Sequence, residues 1–186
     1  MRRRLLIVDL EATCWARGEH QPGNMETIEI GALLVDPAQV DAEPRTFQTF
    51  VQPVRSRALS EYCMQLTGIR QADVDRAEAY PAAFARFLEW IGEPQLVRFA
   101  SWGEYDKRQL QRDCAHHAVP YPFEDDHFNI KKFWSKAYRN RPASMSHALE
   151  RMGLALEGVH HRGLDDARNI WRILRAQTGG DLGAIV

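Results

Sequence analysis

The sequence predicts an α/β protein with a mixed, five-stranded sheet flanked by helices, and three observations support this fold class. The first third of the chain contains three short apolar or alternating segments with close connections, as in antiparallel strands. The rest alternates amphipathic helical segments with further short apolar runs. The chain has 186 residues, of which 45% are hydrophobic, which is enough for one buried core. We therefore expect a single domain over residues 1–186.

Three strands are predicted in the first third of the chain. Residues 5–10 read LLIVDL, a short apolar run typical of a buried strand. Residues 27–35, TIEIGALLV, form the second strand. Residues 45–53, RTFQTFVQP, alternate well enough for a third strand, which ends at its proline. Their close connections favour an antiparallel meander.

The middle and end of the chain are predicted to be mainly helical. In residues 80–92, apolar side chains recur at helical spacing, after a proline suited to the first turn and before a glycine that ends the helix. The remaining predicted elements are a strand over 95–101, a helix over 104–117, a short strand or turn over 128–134, and helices over 144–153 and 164–177.

Composition restricts the class of function. The formal net charge is −1, which argues against a protein that coats long nucleic acids without sequence preference. The N-terminal apolar run stops at Asp9, too early for a signal peptide or a membrane span. The three cysteines are far apart and odd in number, which favours reduced thiols. We expect a cytoplasmic protein without a membrane partner.

Four acidic residues are candidates for a site. Asp9 and Glu11 lie at the end of the first predicted strand, where a period of two places both side chains on one face. Such pairs are common by chance, and a solvated strand end is the alternative. Asp106 follows the strand over 95–101 and lies near the start of the next helix, where an ordinary N-terminal acidic residue is the alternative.

The segment HHRGLDD, residues 160–166, contains two histidines and two aspartates at matching spacing. Asp166 shares a helical stripe with Ile170, Ile173 and Leu174, whereas Asp165 aligns with a polar stripe of solvated type. We therefore expect Asp166 to point inward and Asp165 outward. A buried carboxylate needs a partner, and a metal cluster with the other acids supplies one. By the same reasoning, His161 is expected near the site and His160 is expected to point away.

A cluster of carboxylates without grouped cysteine or histidine ligands selects Mg²⁺ or Mn²⁺ over zinc. Two such ions, about 3.5–4 Å apart, form the arrangement that supports in-line displacement at a phosphodiester. A histidine that titrates near neutrality is suited to take the proton of the attacking water.

Three segments carry a family resemblance. In order and spacing, IVDLEATC, SWGEYDKRQL and HRGLDDARNI resemble the three motifs of the DEDDh, or DnaQ-like, 3′→5′ exonucleases. The segment LSEYCMQLTGIRQADVDRAEAYP is similar to the branch that contains the enhanced-RNAi and histone-mRNA 3′ exonucleases and the bacterial KapD-like proteins. The resemblance covers roughly residues 5–176 and implies a ribonuclease H-like fold.

The resemblance also implies roles for individual residues. It makes Asp9, Glu11, Asp106 and Asp166 the ligands of two Mg²⁺ or Mn²⁺ ions and His161 the general base, since the family places a histidine five residues before its last aspartate. In addition, Thr13 matches a position that holds the terminal nucleotide, and Tyr105 matches an aromatic position that can stack on a base. A core tyrosine is the alternative for Tyr105.

The implied activity is release of 5′-mononucleotides from the 3′ ends of single-stranded or end-structured nucleic acid, with RNA the expected substrate. Two alternatives remain: a catalytically weak, nuclease-like module that binds RNA ends, and a DNA-directed exonuclease of the proofreading type. The segment over 131–141, KKFWSKAYRNR, interleaves five basic residues with aromatics and could guide phosphates. A solvated basic loop is the alternative for it.

Overall fold

The computed structural model describes residues 3–19, 25–139, 141, 143–183 and 185–186. Six strands form one mixed sheet. They are β1 (Arg4–Ala12), β2 (Thr27–Val35), β3 (Arg45–Gln52), β4 (Glu78–Ala79), β5 (Val97–Ser101) and β6 (Phe128–Asn129), and their order across the sheet is β4-β3-β2-β1-β5-β6.

The predicted meander is confirmed, because β1 pairs antiparallel with β2 and β2 pairs antiparallel with β3. On its other side, β1 pairs in parallel with β5. The strand β1 is thus hydrogen-bonded on both edges, as expected for an apolar run that is buried along its length. Parallel pairing also places the carboxyl ends of β1 and β5 at the same edge of the sheet.

Seven helices complete the part of the fold that the structure describes. They are α1 (Glu61–Thr67), α2 (Gln71–Asp75), α3 (Tyr80–Ile91), α4 (Tyr105–His116), α5 (Ile130–Ala137), α6 (Met145–Arg151) and α7 (Gly163–Thr178). The periodic segments predicted α3, α4, α6 and α7 within two residues at each end. Among the described residues, no helix is both long and apolar enough to cross a membrane.

Two parts of the predicted architecture are wrong. The sheet has six strands rather than five. The additional strand β4 is not predicted, because its two residues are too few to show periodicity. Residues 128–134 form two residues of strand followed by the start of α5, rather than one short strand or turn. The short helices α1 and α2 were not predicted, since seven and five residues give too few turns for a periodic pattern.

The side chains of β1 alternate between two cores. Leu5 and Ile7 pack with residues of α5, α6 and α7, whereas Leu6 and Val8 pack with residues of α3 and α4. Helices therefore flank both faces of the sheet, as predicted. Because the strand has a period of two, Asp9 and Glu11 continue the row of Leu5 and Ile7 toward α7.

The start of α7 lies directly on the sheet. A Cβ added to Gly31 of β2 would come within 1.9 Å of the carbonyl carbon of Gly163, and a Cβ added to Gly163 would come within 2.9 Å of the Asp9 carbonyl oxygen. Only glycine fits at either position. This close approach brings the first turn of α7 beside the end of β1.

Candidate active site

Three segments bring acidic side chains to one edge of the sheet. The end of β1 supplies Asp9 and Glu11, and the first turn of α7 supplies Asp166. Carboxylate oxygens of these three residues lie within 4.8 Å of one another. The helix α4, which follows the parallel strand β5, supplies Asp106, and all four acids line one cavity. The structure thus brings the four predicted ligands together.

Asp106 is fixed by a hydrogen bond to the neighbouring strand. Its Oδ1 accepts the backbone N–H of Leu10 at 3.0 Å, and the side chain is buried. The position of Asp106 in the first turn of α4 also exposes its charge to the positive end of the helix dipole. Asp106 is therefore anchored between β1 and α4.

The two adjacent aspartates of α7 face different surroundings, in the directions that the helical stripe predicts. Asp166 is buried and accepts the backbone N–H of His161 at 2.9 Å. Asp165 turns away from the acid cluster, and its Oδ2 accepts the backbone N–H of Val159 at 2.9 Å. The helical face that Asp165 shares with Asn169 is less exposed than predicted. Asn169 is fully buried, and its side chain both accepts the N–H of Glu157 and donates to the Glu157 carbonyl.

The two histidines both lie at the site, and the prediction that His160 points away is wrong. The Nδ1 of His160 lies 3.0 Å and 3.1 Å from the two carboxylate oxygens of Asp166. The two imidazole rings stack with their centroids 4.0 Å apart. This arrangement depends on a left-handed backbone at His161, with φ 63°, which folds the chain back so that both rings face Asp166. Sequence spacing cannot reveal such a reversal.

The acids of the cluster have pKa values above their ordinary range. Burial, followed by the charges of Asp106 and Glu11, raises the pKa of Asp9 well above its usual value. Burial and the charge of Asp166 raise the pKa of Glu11 to about 8. Burial also raises the pKa of Asp106 to about 6 and, against the opposing effect of His160, that of Asp166. Burial therefore opposes ionisation of all four acids, and neighbouring carboxylates add to this effect at Asp9, Glu11 and Asp106.

The donor set fits hard divalent cations. The four acids offer only oxygen ligands, which suit Mg²⁺ and Mn²⁺. The residues that are described around the cavity include no lysine or arginine that could neutralise them. A cation at this position would relieve the repulsion that raises the pKa values, and Asp9, Glu11, Asp106 and Asp166 would hold it.

The cavity beside the acids has a volume of about 360 Å³. One side is acidic, and the other is apolar or aromatic, with contributions from Met25, Leu66, Trp102, Tyr105 and Met145. The Tyr105 ring is 40% exposed, so it is a surface of the cavity rather than a core tyrosine. The apolar and aromatic residues suit a ligand with a planar ring, and the acids could face its phosphate only through a bound cation.

Thr13 has a different environment from the other predicted site residues. It is buried and is not part of the described cavity lining. Its Oγ1 accepts the N–H of Glu26 at 3.0 Å, and its own N–H donates to the carbonyl of Glu26 at 2.9 Å. These contacts hold the segment after β1 against the segment before β2. A contact of Thr13 with substrate stays a prediction.

A larger cavity, of about 500 Å³, lies between residues 41–46 and the α7 residues 168–175. None of the four acids lines it. Its arginines are paired with acids: Arg175 lies 2.7 Å from Asp41, and Arg172 lies 3.0 Å from Glu157. Size alone therefore does not identify the site, and the chemistry favours the smaller cavity.

Sequence patterns do not assign two residues to the site that the structure places near it. His160 was assigned away from it, and Glu29 was not singled out. Glu29 lies within TIEIGALLV, a segment buried at every position. A glutamate inside an otherwise apolar strand is a signal that could have been used, because a buried carboxylate requires partners.

Comparisons with known proteins give one consistent result. The profile of the exonuclease family RNase T matches residues 6–174. Human ERI1 exoribonuclease 2 is 32% identical over 199 residues, which cover 92% of this chain and 28% of that protein. The chain spans about a quarter of the length of that relative and about half of the length of rat 3'-5' exoribonuclease 1, to which it is 33% identical.

Solved structures give the same result at the level of the fold. The nuclease domain of 3'hExo, a DEDDh family member bound to rAMP, has a TM-score of 0.86 and 30% identity, covering 97% of this chain and 94% of that one. A 3′-exonuclease recognising the histone mRNA stem-loop has a TM-score of 0.87 and 29% identity, covering 97% and 65%. The predicted ribonuclease H-like fold is therefore confirmed.

Proposed function

Since this chain belongs to the RNase T exonuclease family, in its DEDDh group, we propose that it removes 5′-mononucleotides one at a time from the 3′ ends of RNA. One observation carries the proposal: four carboxylates from three separate segments, three of them buried and that of Asp9 half-buried, line one cavity to which the described residues supply no lysine or arginine. Such an arrangement is unfavourable unless a cation joins it.

The family uses divalent metal ions, and we propose two Mg²⁺ or Mn²⁺ ions for this chain. When bound, they supply Lewis-acid stabilisation of the charge that develops on the phosphate and the leaving oxygen. The residues of this chain determine where the ions would be held. Asp106 is held to Leu10 and Asp166 is held to the backbone of His161, so two ligands are fixed before any ion arrives.

His161 acts as the general base in this proposal and takes the proton of the attacking water. Burial and the neighbouring His160 lower the pKa of His161 below its ordinary value of 6.5. Its imidazole is therefore largely neutral at pH 7, as a base must be. The imidazole of His160 lies against the Asp166 carboxylate and steadies that ligand.

The apolar wall of the cavity holds the terminal nucleoside. Tyr105 presents an exposed ring beside Asp106, and Trp102 is held by a hydrogen bond from its Nε1 to the carbonyl of Ala143 at 3.1 Å. Aromatic rings accept any base by stacking, which suits an enzyme that degrades a chain without regard to its sequence. We propose RNA as the substrate because the relatives that share this fold at about 30% identity are named as exoribonucleases or bind RNA.

The proposal is tested with short RNA and DNA oligonucleotides labelled at the 5′ end. With Mg²⁺ or Mn²⁺, RNA should shorten stepwise from its 3′ end, release 5′-mononucleotides, and stop when EDTA is added. Release of 3′-monophosphates, or full activity in EDTA, would contradict the proposed chemistry. Faster degradation of DNA would establish the DNA-directed alternative, and tight RNA binding without turnover would establish the binding module.

A further inference from the structure

Glu29 is a fully buried carboxylate that the proposed mechanism does not use. It lies in β2, where it is paired with Glu11 of β1 on one side and with Phe50 of β3 on the other. Its negative charge contributes to the raised pKa values of Asp9 and Glu11. Burying such a charge is unfavourable unless donors pair with its oxygens, so the partners of Glu29 indicate what it does.

The surroundings of Glu29 identify its partners. Its Oε2 accepts the backbone N–H of Gly163 at 3.0 Å and the Nε–H of Arg162 at 3.2 Å. Its Oε1 accepts from the other end of the Arg162 guanidinium at 3.1 Å and from the Gln48 amide. The guanidinium also lies over the ring of Phe50, 5.4 Å from its centroid. Both oxygens are therefore occupied by donors.

Gly163 is the first residue of α7, so Glu29 caps the N-terminus of this helix from the neighbouring strand β2. The residue that precedes α7, Arg162, makes no side-chain capping hydrogen bond. The first N–H groups of a helix have no partner within the helix, and a carboxylate placed there also interacts favourably with the helix dipole. Glu29 supplies both interactions and joins β2 to the start of α7.

The residues on either side of this contact are the ones that the reaction needs. His161 immediately precedes Arg162, and Asp166 lies three residues after Gly163, with its N–H bonded to the Arg162 carbonyl at 2.8 Å. The close contact of Gly31 with Gly163 places this helix start directly on β2. A displaced helix start would thus move the base and one ligand together.

We propose that Glu29 is a positioning residue, which holds the start of α7 so that His161 and Asp166 meet Asp9 and Glu11. It is not a further metal ligand, because four donors already occupy its two oxygens. This inference rests on the proposed function and names the residue that assembles the site across the sheet.

The test compares Glu29→Gln with Glu26→Gln. Glu26 is a matched control, because it is also a buried carboxylate and accepts backbone N–H groups, those of Val54, Arg55 and Ser56, while none of its hydrogen bonds among the described residues reaches α7. Three quantities are measured for each protein: kcat and KM on RNA, the Mn²⁺ affinity by calorimetry without RNA, and the melting temperature in EDTA.

For Glu29→Gln we expect kcat to fall about 10- to 100-fold with little change in KM, and Mn²⁺ binding to weaken by a similar factor. Glu26→Gln should lose melting temperature while its kcat and Mn²⁺ affinity stay within about twofold of the wild type. If Glu29→Gln loses only melting temperature, as the control does, Glu29 is a structural acid and the inference is wrong.

A second variant covers the case in which Glu29→Gln does not fold. Arg162→Gln removes the bidentate partner but leaves the bond from Gly163 to Glu29. We expect a smaller loss of Mn²⁺ affinity, in the same direction, and an unchanged affinity would overturn the inference. If wild-type protein bound Mn²⁺ yet degraded no RNA, the proposed function would fail, while the Mn²⁺ comparison would still decide the role of Glu29.

Discussion

Buried and half-buried carboxylates around the sheet form two groups, and they differ in what surrounds their oxygens. The first group, the site acids, lines the cavity at the end of β1 and consists of Asp9, Glu11, Asp106 and Asp166. The second group, the scaffold acids, consists of Glu26, which immediately precedes β2, Glu29 of β2 and Asp113 of α4. Both groups lie close to the same strands, so burial alone does not separate them.

Each scaffold acid accepts at least three hydrogen bonds. Glu26 accepts three consecutive backbone N–H groups from residues 54–56. Asp113 accepts from the N–H and the hydroxyl of Thr27 and from the amide of Gln109. Each of these charges is therefore stabilised by contacts that join two segments of the chain.

The site acids have few donors and several negative neighbours. No described residue forms a hydrogen bond to the carboxylate of Asp9 or Glu11, and burial, together with the charges of the neighbouring acids, raises their pKa values. A fold retains such an arrangement only when something outside the chain stabilises it. The contrast is clearest at Asp9 and Glu11, where open carboxylate oxygens, rather than burial, distinguish proposed metal ligands from the acids that build the fold.

The largest effect is expected when a site acid loses its charge. Asp9→Asn keeps the shape of the side chain but removes one ligand charge, so activity on RNA should fall more than about 10³-fold, since a metal supplies several kcal/mol of transition-state stabilisation. The same change relieves repulsion in the metal-free protein. Its melting temperature in EDTA should therefore equal or exceed that of the wild type.

Asp165→Ala is the matched control for this comparison. Its carboxylate binds the N–H of Val159 and lies outside the acid cluster, so activity should stay within about tenfold of the wild type, with a small loss of stability from the lost hydrogen bond. Retained activity in Asp9→Asn, combined with a lower melting temperature in EDTA, would place Asp9 among the scaffold acids.

The second largest effect is expected at His161. A general base contributes about 10²–10⁴-fold, so His161→Ala should be strongly impaired but not inactive. The activity of His160→Ala on RNA should fall about 10-fold, because this substitution removes only a contact that steadies Asp166. The pH–rate profile separates the two roles.

In the wild type, a neutral base is required, so the rate should fall as the pH drops through the pKa of His161, which lies below 6.5. His161→Ala should lose this inflection, and His160→Ala should keep it. The reverse result would make His160 the base and assign the role to the ring that contacts Asp166.

A third effect concerns stability and pH in the absence of metal. A carboxyl whose pKa is raised by folding favours the folded state while protonated, and this contribution is lost as the pH rises to its folded pKa. For Asp106 that value is about 6, and for Glu11 it is about 8. Melting temperature in EDTA should therefore fall between pH 5 and pH 8.

Glu11→Gln should reduce this fall, because its side chain does not ionise. A melting temperature in EDTA that stays constant or rises over this pH range would show that the site acids are stabilised by the chain itself.

The smallest effect is expected at the basic surface over residues 131–141, of which Asn140 lies outside the described residues. An acidic centre must receive an anionic substrate, and Lys131, Lys132 and Lys136 lie on α5. Lys132 is paired with Glu104 at 3.1 Å, so part of this charge is already neutralised. Charge reversal of all three should weaken RNA binding severalfold and reduce its salt dependence.

Substitution of Arg70, which is exposed and paired with Asp73 on α2, is the control for that experiment. If charge reversal at the three lysines changes affinity no more than Arg70→Glu does, the substrate does not follow this surface.

Much of the fold was predictable from periodicity, and the exceptions have physical causes. Long, regular segments such as α7 and β2 show enough repeats to fix their bounds within a residue or two. By contrast, β4 has two residues and α2 has five, and both depend on contacts with β3 that the local sequence does not record.

The site was predictable where a side chain's direction follows from regular structure. The period of β1 sets the face of Asp9 and Glu11, and the stripe of α7 sets that of Asp166. The position of His160 was not predictable, because it depends on the left-handed backbone of His161 in an irregular segment. The role of Glu29 depends on contacts between residues 134 positions apart, which no local pattern encodes.

Thermal unfolding with and without Mn²⁺ shows whether a cation completes the cluster of site acids. At 100 times the dissociation constant, Mn²⁺ should stabilise the wild type by about 2.7 kcal/mol, which raises its melting temperature by about 5–10 °C. Asp9→Asn should lose most of this rise, and Glu26→Gln should keep it. An equal rise in Asp9→Asn, or none in the wild type, would contradict a cation site among these acids.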